Sequence, residues 1–411
     1  MEIACKKWYT AGIMDICVHN AEYHKFKSLE GYNMGKNKGG MRYLFSEDIQ
    51  YVSSRKRKFN HKTLVAVIVA AVLLVGFSAV SFMMIHTIYG DLFGRADKPE
   101  LTIYETYEDL SKDFARTEVK FMSENDELTG YLYGSTKSPK GLVVISHGIG
   151  GGADSYIQEA TYFAKRGFKV LSFSNTGSHE SEGKGTMGLS QSVIDLDAAL
   201  DYVETQEELA KLPVFLYGHS WGGYAVTAVL NYDHEIAAVA SVAGYNTPME
   251  MIMEWAKPNL GVLRYPEYPY VWIYQKLLFG GASNLSAAEG INSVETPVLV
   301  IHGTEDETIA YDGASIMTHR DEITNPNAVF LTCDTPGQNG HVNLYRSRSA
   351  NSYIEMLEAD FDELVDEYDN ERDIPEDVLK GWYGIADREL ASELDEVFMQ
   401  DVYDFFKKSL K

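Results

Sequence analysis

The stretch PVFLYGHSWGGYAVTAVL, residues 213–230, combines a short apolar run, a glycine-rich turn with one serine, and a second apolar segment at helical spacing. This order of strand, turn and helix is the one that exposes a nucleophilic serine at a sharp bend. Gly218 and Gly222 remove side chains where turn and helix come close, and the positive end of the helix faces Ser220. Because Gly-x-Ser-x-Gly also arises by chance, Ser220 needs partners before it can be called a nucleophile.

Apolar runs alternate with helix-like segments on both sides of this stretch. Continuous runs of this length are typical of parallel strands covered on both faces, and their alternation with helices predicts a mostly parallel, doubly wound α/β sheet. TEVKFMS and LTGYLYG flank ENDE and predict a hairpin at the start. The apolar runs are GLVVISHG (141–148), FKVLSFS (168–174), VFLYGHS (214–220), AAVASVAG (237–244), PVLVIHG (297–303) and AVFLTCD (328–334).

A long insertion, residues 245–290, separates two of the predicted strands and is rich in methionine and aromatic residues. A structureless loop of this length is unusual in a compact domain, so the insertion is predicted to be a helical cap. Its aromatic side chains either line a substrate pocket or only pack the cap against the body. The candidates for the substrate pocket are His147, Tyr245, Trp255 and Trp272.

A glycine-rich segment and an acidic segment each follow another predicted strand. Functional sites of open α/β sheets lie at these strand ends. HGIGGG (147–152) is predicted to present the backbone N–H of Ile149, which together with the N–H of Trp221 would form an oxyanion hole. IHGTEDETI (301–309) offers three neighbouring acids, any one of which could orient a histidine.

His341 lies in GQNGHVNLY (337–345), after the last predicted strand. A loop histidine is often only a surface residue, but this one follows both the serine and the acids in the chain. The order serine, acid, histidine is that of the α/β-hydrolases.

Residues about 116–345 resemble the α/β-hydrolase superfamily, most closely the monoacylglycerol lipase/lysophospholipase and serine-aminopeptidase-like hydrolases. The motifs HGIGG, GHSWGG, HGTEDETI and GHVNL carry this resemblance. It implies an α/β-hydrolase fold and a triad of Ser220 as nucleophile, His341 as base and Asp306 as acid, because the family's acid falls four residues after the histidine of HG. No metal or organic cofactor is implied. The loop SNTGSHESEGKG departs from the family pattern, since Asn175 stands where many relatives have aspartate.

Residues 63–89 are uncharged and long enough to cross a bilayer, and RKRKFNHK precedes them directly. Residues 1–62 carry a net charge of +6 out of a chain total of −24, which leaves −30 beyond the apolar segment. The positive-inside rule then predicts a single-pass protein of the cell membrane with a cytoplasmic N-terminus and an extracytoplasmic hydrolase domain. A cleaved signal peptide is the alternative, but its apolar core would be shorter.

The charge distribution also bears on partners and on domain organisation. A strongly acidic chain without clustered Lys and Arg argues against nucleic acid as a partner. The predicted parts are a basic, poorly ordered segment at 1–62, a transmembrane helix at 63–89, a linker at 90–115, a hydrolase domain at 116–345 with its cap at 245–290, and acidic helices at 346–411 packed on or extending that domain.

Three functions compete. The leading prediction is a membrane-anchored serine hydrolase that cleaves acyl esters, such as lysophospholipid or monoacylglycerol-like substrates, through an acyl-enzyme. The second is an aminopeptidase-like amide hydrolase with the same triad, in which Glu250, Glu254 and Glu267 of the cap would bind a substrate amine. The third is a catalytically inactive hydrolase fold that serves as a surface binding protein.

Overall fold

A computed structural model of the chain describes residues 60–112, 114–134, 136–368 and 370–410. The basic segment predicted over 1–62 therefore lies almost entirely outside the described residues. Leu64–Lys411 form one compact unit.

Eight strands form one sheet in the order β1-β2-β4-β3-β5-β6-β7-β8. The pairs β1–β2 and β2–β4 are antiparallel and all the other pairs are parallel. The predicted hairpin and the mostly parallel sheet are thus confirmed. The strands are β1 Arg116–Ser123, β2 Asp126–Tyr133, β3 Leu142–Ser146, β4 Lys169–Phe173, β5 Val214–His219, β6 Ile236–Val242, β7 Val298–Gly303 and β8 Ala328–Cys333.

Helices cover both faces of the sheet. Because successive strand residues point to opposite faces, Leu216 of β5 packs into one core with Leu196 and Ile291, and Phe215 packs into the other with Phe163 and Phe406. The helices are α1 His61–Leu92, α2 Tyr107–Leu110, α3 Ile157–Lys165, α4 Gln191–Thr205, α5 Trp221–Ala228, α6 Pro248–Trp255, α7 Lys257–Leu260, α8 Arg264–Phe279, α9 Ala287–Ser293, α10 Arg348–Glu367, α11 Glu376–Gly384, α12 Arg388–Ala391 and α13 Glu396–Lys408.

The insertion at 245–290 is helical, as predicted, and contributes α6, α7, α8 and most of α9. Helix α6 begins at a favourable N-terminus, where the Thr247 side chain accepts a hydrogen bond from the Glu250 N–H and Pro248 occupies the first turn. The acidic C-terminal region is helical too. Its last helix, α13, buries Phe406 against Phe163 and Phe215, at ring distances of 5.7 and 5.1 Å, so this helix is part of the domain core.

Helix α1 has two different halves. Its N-terminal half is exposed and apolar, with Leu73 and Val75 more than two thirds exposed. Its C-terminal half packs on the domain through Ile85 and Tyr89, and Tyr89 contacts the ring of Tyr274 in α8 at 4.8 Å. Among the described residues, α1 is the one helix long and apolar enough to cross a membrane.

Candidate active site

Ser220 sits at the sharp turn between β5 and α5. Its backbone has φ +59° and ψ −117°, a conformation that non-glycine residues rarely adopt and that turns often hold at functional sites. The turn needs its glycines, since a Cβ on Gly222 would lie 1.9 Å from the carbonyl oxygen of Ser146 and one on Gly218 would lie 2.2 Å from that of Gly222. The sequence GHSWGG therefore folds into the bend that its glycines predicted.

Ser220, His341 and Asp306 meet although they come from three different strand ends. The Ser220 Oγ lies 2.9 Å from Nε2 of His341, and Nδ1 of His341 lies 2.8 Å from Oδ2 of Asp306. All three residues are buried. Because the carboxylate accepts the Nδ1 proton, Nε2 is left to accept the proton of the serine hydroxyl.

The structure distinguishes Asp306 from the two glutamates beside it. Asp306 Oδ1 accepts hydrogen bonds from the N–H groups of Thr308 and Ile309, at 2.9 and 2.8 Å, and Oδ2 lies 3.1 Å from Nε2 of His302. Burial alone would raise the pKa of Asp306, but the hydrogen bonds from His302, His341 and the Ile309 N–H outweigh burial and hold the pKa well below its usual range. This carboxyl is therefore ionised wherever the protein is folded near neutral pH.

A second, buried hydrogen-bond chain supports the site and was not predicted. Nε2 of His219 lies 2.9 Å from the carbonyl oxygen of His341, which can only accept, so Nε2 carries the proton. Nδ1 then accepts from the Tyr156 hydroxyl at 2.7 Å, and the same hydroxyl accepts from the Gly148 N–H at 3.2 Å. Burial lowers the pKa of His219 to about 3, and the neighbouring His341 adds to this, so His219 stays neutral.

This chain links the loop of HGIGGG to the backbone of His341. His219 directly precedes Ser220 in the sequence, and this adjacency was the one sequence feature that could have indicated the hydrogen-bond chain. Tyr156 lies in a helix-like segment and carried no signal, because its contact with His219 spans 63 positions.

The two predicted oxyanion donors flank Ser220. Trp221 is the first residue of α5, where backbone N–H groups have no partner within the helix. Its indole ring is buried and donates from Nε1 to the Leu189 carbonyl at 2.7 Å, so only its backbone is free to act. Ile149 lies beside Gly150, which adopts φ +77°, and both residues line the same cavity as Ser220. The oxyanion role of these two N–H groups stays a prediction.

Ser220 and His341 open into a cavity of about 490 Å³, called here the Ser220 cavity. One wall is formed by the segment 98–106, called here the strap, which was predicted to be only a linker. Lys98 holds the strap in place through Asp154, with Nζ and Oδ2 2.7 Å apart, and the Glu105 N–H donates to the Ser392 hydroxyl at 2.8 Å. The strap residues that line the cavity are Lys98, Pro99, Thr102, Tyr104, Glu105 and Thr106.

None of the four predicted substrate-pocket residues lines the Ser220 cavity, and their role in substrate binding stays a prediction. His147 is buried and accepts from the Asn175 N–H at 2.9 Å, and Tyr245 stacks on Tyr224 at 4.5 Å. Trp255 packs against the core on the cap side. Trp272 lines a second cavity of about 670 Å³ between α6 and α8, called here the cap cavity. The wall of the Ser220 cavity includes the strap and no residue of the cap at 245–290.

The comparisons with known proteins agree with this architecture. A family model described as serine aminopeptidase, S33, matches residues 137–266. A monoglyceride lipase homolog of monkeypox virus is 26% identical over 227 residues, which cover 48% of this chain and 82% of that protein. The chain is a member of the α/β-hydrolase superfamily.

Two further proteins are similar over a shorter stretch or at lower identity. A quorum-quenching protein of Acinetobacter baumannii is 28% identical over 148 residues, 33% of this hydrolase and 48% of the relative, so the match spans about half of that relative's length. The solved structure of an esterase from Pyrococcus furiosus aligns with a TM-score of 0.46 and 19% identity, over 67% of this hydrolase and 98% of the esterase.

Proposed function

We propose that this α/β-hydrolase is a serine hydrolase that cleaves carboxylic esters. The observation that carries the proposal is the contact of Ser220 Oγ with His341 Nε2 at 2.9 Å, with Asp306 on the other ring nitrogen. His341 takes the hydroxyl proton as Oγ attacks the ester carbonyl, and then gives that proton to the departing alcohol. A water molecule then attacks the acyl-enzyme with His341 again as the base, and the carboxylic acid is released.

Charge develops on the carbonyl oxygen during each attack. The N–H groups of Ile149 and Trp221 would stabilise this oxyanion, each by about 3–4 kcal/mol. Asp306 would stabilise the imidazolium that forms on His341, which a carboxylate held in its ionised state can do.

The charges of the Ser220 cavity favour an ester over the amine-terminated substrate of an aminopeptidase. Such an enzyme needs a carboxylate free to receive the amine, but Asp154 already pairs with both Lys98 and Arg116, and Glu105 already accepts a hydrogen bond from the Gln158 amide. The three cap glutamates do not line this cavity. Glu254, for example, accepts from the Ala310 N–H at 2.9 Å. The similarity to the viral relative, a monoglyceride lipase homolog, also favours ester hydrolysis.

A fluorophosphonate probe tests the nucleophile. We expect wild type to be labelled and Ser220→Ala not to be, because phosphonylation needs the activated hydroxyl. Ser155→Ala is the matched control, since Ser155 lines the same cavity without a histidine partner and should not affect labelling. Equal labelling of wild type and Ser220→Ala contradicts the proposal, and no labelling of wild type favours the inactive binding protein.

Membrane anchoring through 63–89 is part of the same proposal. It is supported by the exposed apolar half of α1 and by the basic residues before it. In this arrangement residues 90–115 connect the anchor to the hydrolase domain at 116–345, and the strap lies within that connection. Alkaline extraction of membranes should leave the full chain in the pellet and release a chain that lacks 63–80; release of the full chain would contradict anchoring.

A further inference from the structure

Arg346 is a cation in the wall of the Ser220 cavity. It follows the short turn of helix Asn343–Tyr345, five positions after His341, and its guanidinium lies over the ring of Tyr104 in the strap, 4.4 Å from the centroid. Neither the resemblance nor the proposed reaction gives it a role.

The guanidinium has few partners for a group so enclosed. Nη1 donates to the Ala391 carbonyl at 2.9 Å, whereas the buried Nε has no hydrogen-bond partner among the described residues. Among the same residues, no carboxylate oxygen lies within 4.0 Å of the guanidinium nitrogens, the limit for an ion pair. A partly buried charge without a counter-charge is costly, so its place at a cavity wall points to a ligand that supplies the missing charge.

Glu159 interacts electrostatically with Arg346 but forms no ion pair with it. Glu159 is buried, and burial raises its pKa to about 7 although Arg346 acts in the opposite direction. A large fraction of this carboxyl is therefore protonated near neutral pH.

The other charges of the cavity wall are already engaged. Lys98 pairs with Asp154 at 2.7 Å and lies 3.6 Å from Glu180. Glu105 accepts a hydrogen bond from the amide of Gln158. Residues 91–411 carry a net charge of −30, so an anionic substrate would be repelled by the domain as a whole and needs a local cation to enter.

We propose that Arg346 binds a carboxylate or phosphate group of the substrate, so that the enzyme prefers esters that carry a negative charge. The planar guanidinium suits these anions because two parallel N–H groups can donate to two oxygens. This inference rests on the proposed serine hydrolase function and names its substrate class.

The test compares matched esters on the full chain in detergent. Two pairs place the charge on either side of the ester bond: 4-acetoxybenzoate against its methyl ester, and the 4-nitrophenyl monoester of adipate against its methyl ester. In at least one pair, the wild-type kcat/KM should be higher for the anionic ester than for the neutral one. Arg346→Gln should reduce this ratio of anionic to neutral kcat/KM about 10- to 100-fold. Arg348→Gln is the matched control, because Arg348 is exposed and bonds only Gln338.

Replacing 4-acetoxybenzoate with 4-acetoxyphenyl phosphate shows which anion binds better. A ratio at or below one in both pairs, or a ratio that Arg346→Gln does not change, overturns the inference while ester hydrolysis stands. Failure to hydrolyse any ester, with no fluorophosphonate labelling, instead overturns the proposed function.

If Arg346→Gln does not fold, inhibition of the wild-type enzyme tests the inference. Benzoate or inorganic phosphate should then inhibit hydrolysis of the neutral ester competitively, at least about tenfold more strongly than neutral benzamide at equal ionic strength. Equal inhibition by the charged and neutral compounds overturns the inference.

Discussion

The Ser220 cavity and the cap cavity are of similar size, about 490 and 670 Å³, but they are lined by different kinds of residue. The cap cavity is lined by Met249, Met253 and aromatic side chains such as Trp272. The Ser220 cavity has a serine hydroxyl beside a histidine ring, a cation with no ion-pair partner among the described residues, and a wall made by the strap. The aromatic residues of the insertion therefore line a separate cavity in the cap, whereas Ser220, His341 and Asp306 meet where strand ends converge.

The largest expected effect concerns the acid of the Ser220 cavity. Asp306→Asn should lower kcat for ester hydrolysis about 10⁴-fold, because an amide in place of the carboxylate favours the wrong tautomer of His341. Steady-state hydrolysis of a neutral aryl ester measures this loss. Glu305→Gln is the control, since Glu305 is the exposed neighbour, and it should stay near wild type. A loss of less than tenfold for Asp306→Asn would remove this residue from the triad.

A smaller effect is expected for the hydrogen-bond chain behind the site. Tyr156→Phe removes the hydroxyl that joins Gly148 to His219, so His341 and the HGIGGG loop lose a shared support. We expect kcat to fall about tenfold with little change in KM, and the free energy of unfolding to fall by about 1–2 kcal/mol. The two quantities come from steady-state kinetics and chemical denaturation.

Tyr162→Phe provides the control for that experiment. Tyr162 lies in α3, which begins directly after Tyr156, and its hydroxyl contacts Gln400 at 3.4 Å, away from the hydrogen bonds between Gly148, Tyr156 and His219. If Tyr156→Phe lowers stability without lowering kcat, the tyrosine is only structural.

The smallest effect tests the comparison of the two cavities directly. Trp272→Ala empties part of the cap cavity and should change kcat/KM for short-chain esters by less than about twofold. Tyr104→Ala, in the strap, should raise KM about 3- to 10-fold because it removes a wall of the Ser220 cavity, at a cost of roughly 1 kcal/mol. A larger loss for Trp272→Ala than for Tyr104→Ala would return substrate binding to the cap, as the sequence had predicted.

Much of the fold was predictable because its signals are local. The apolar runs between 141 and 334 became strands within one or two residues of their predicted bounds, since burial on both faces requires continuous apolar side chains. The turn at Ser220 was predictable for the same reason, because the glycines at 218 and 222 meet backbone atoms only a few positions away or on the adjacent strand.

The choice of Asp306 needed more than the local pattern. Three acids stand side by side, and the residues alone left them equivalent; the family resemblance indicated one of them. The structure shows the physical reason, because only Asp306 combines hydrogen bonds from Thr308 and Ile309 with the contact to His341.

By itself, then, the sequence determined the strand and helix types, the bend at Ser220 and the order of serine, acid and histidine, all of which depend on short-range periodicity and on glycine. Only the tertiary structure decided what surrounds Ser220: the strap in the cavity wall, the Tyr156 hydroxyl on His219, and Arg346 with no ion-pair partner among the described residues. These features depend on contacts between residues far apart in the chain, such as Glu105 with Ser392, 287 positions away, and no local pattern encodes which distant side chains will meet.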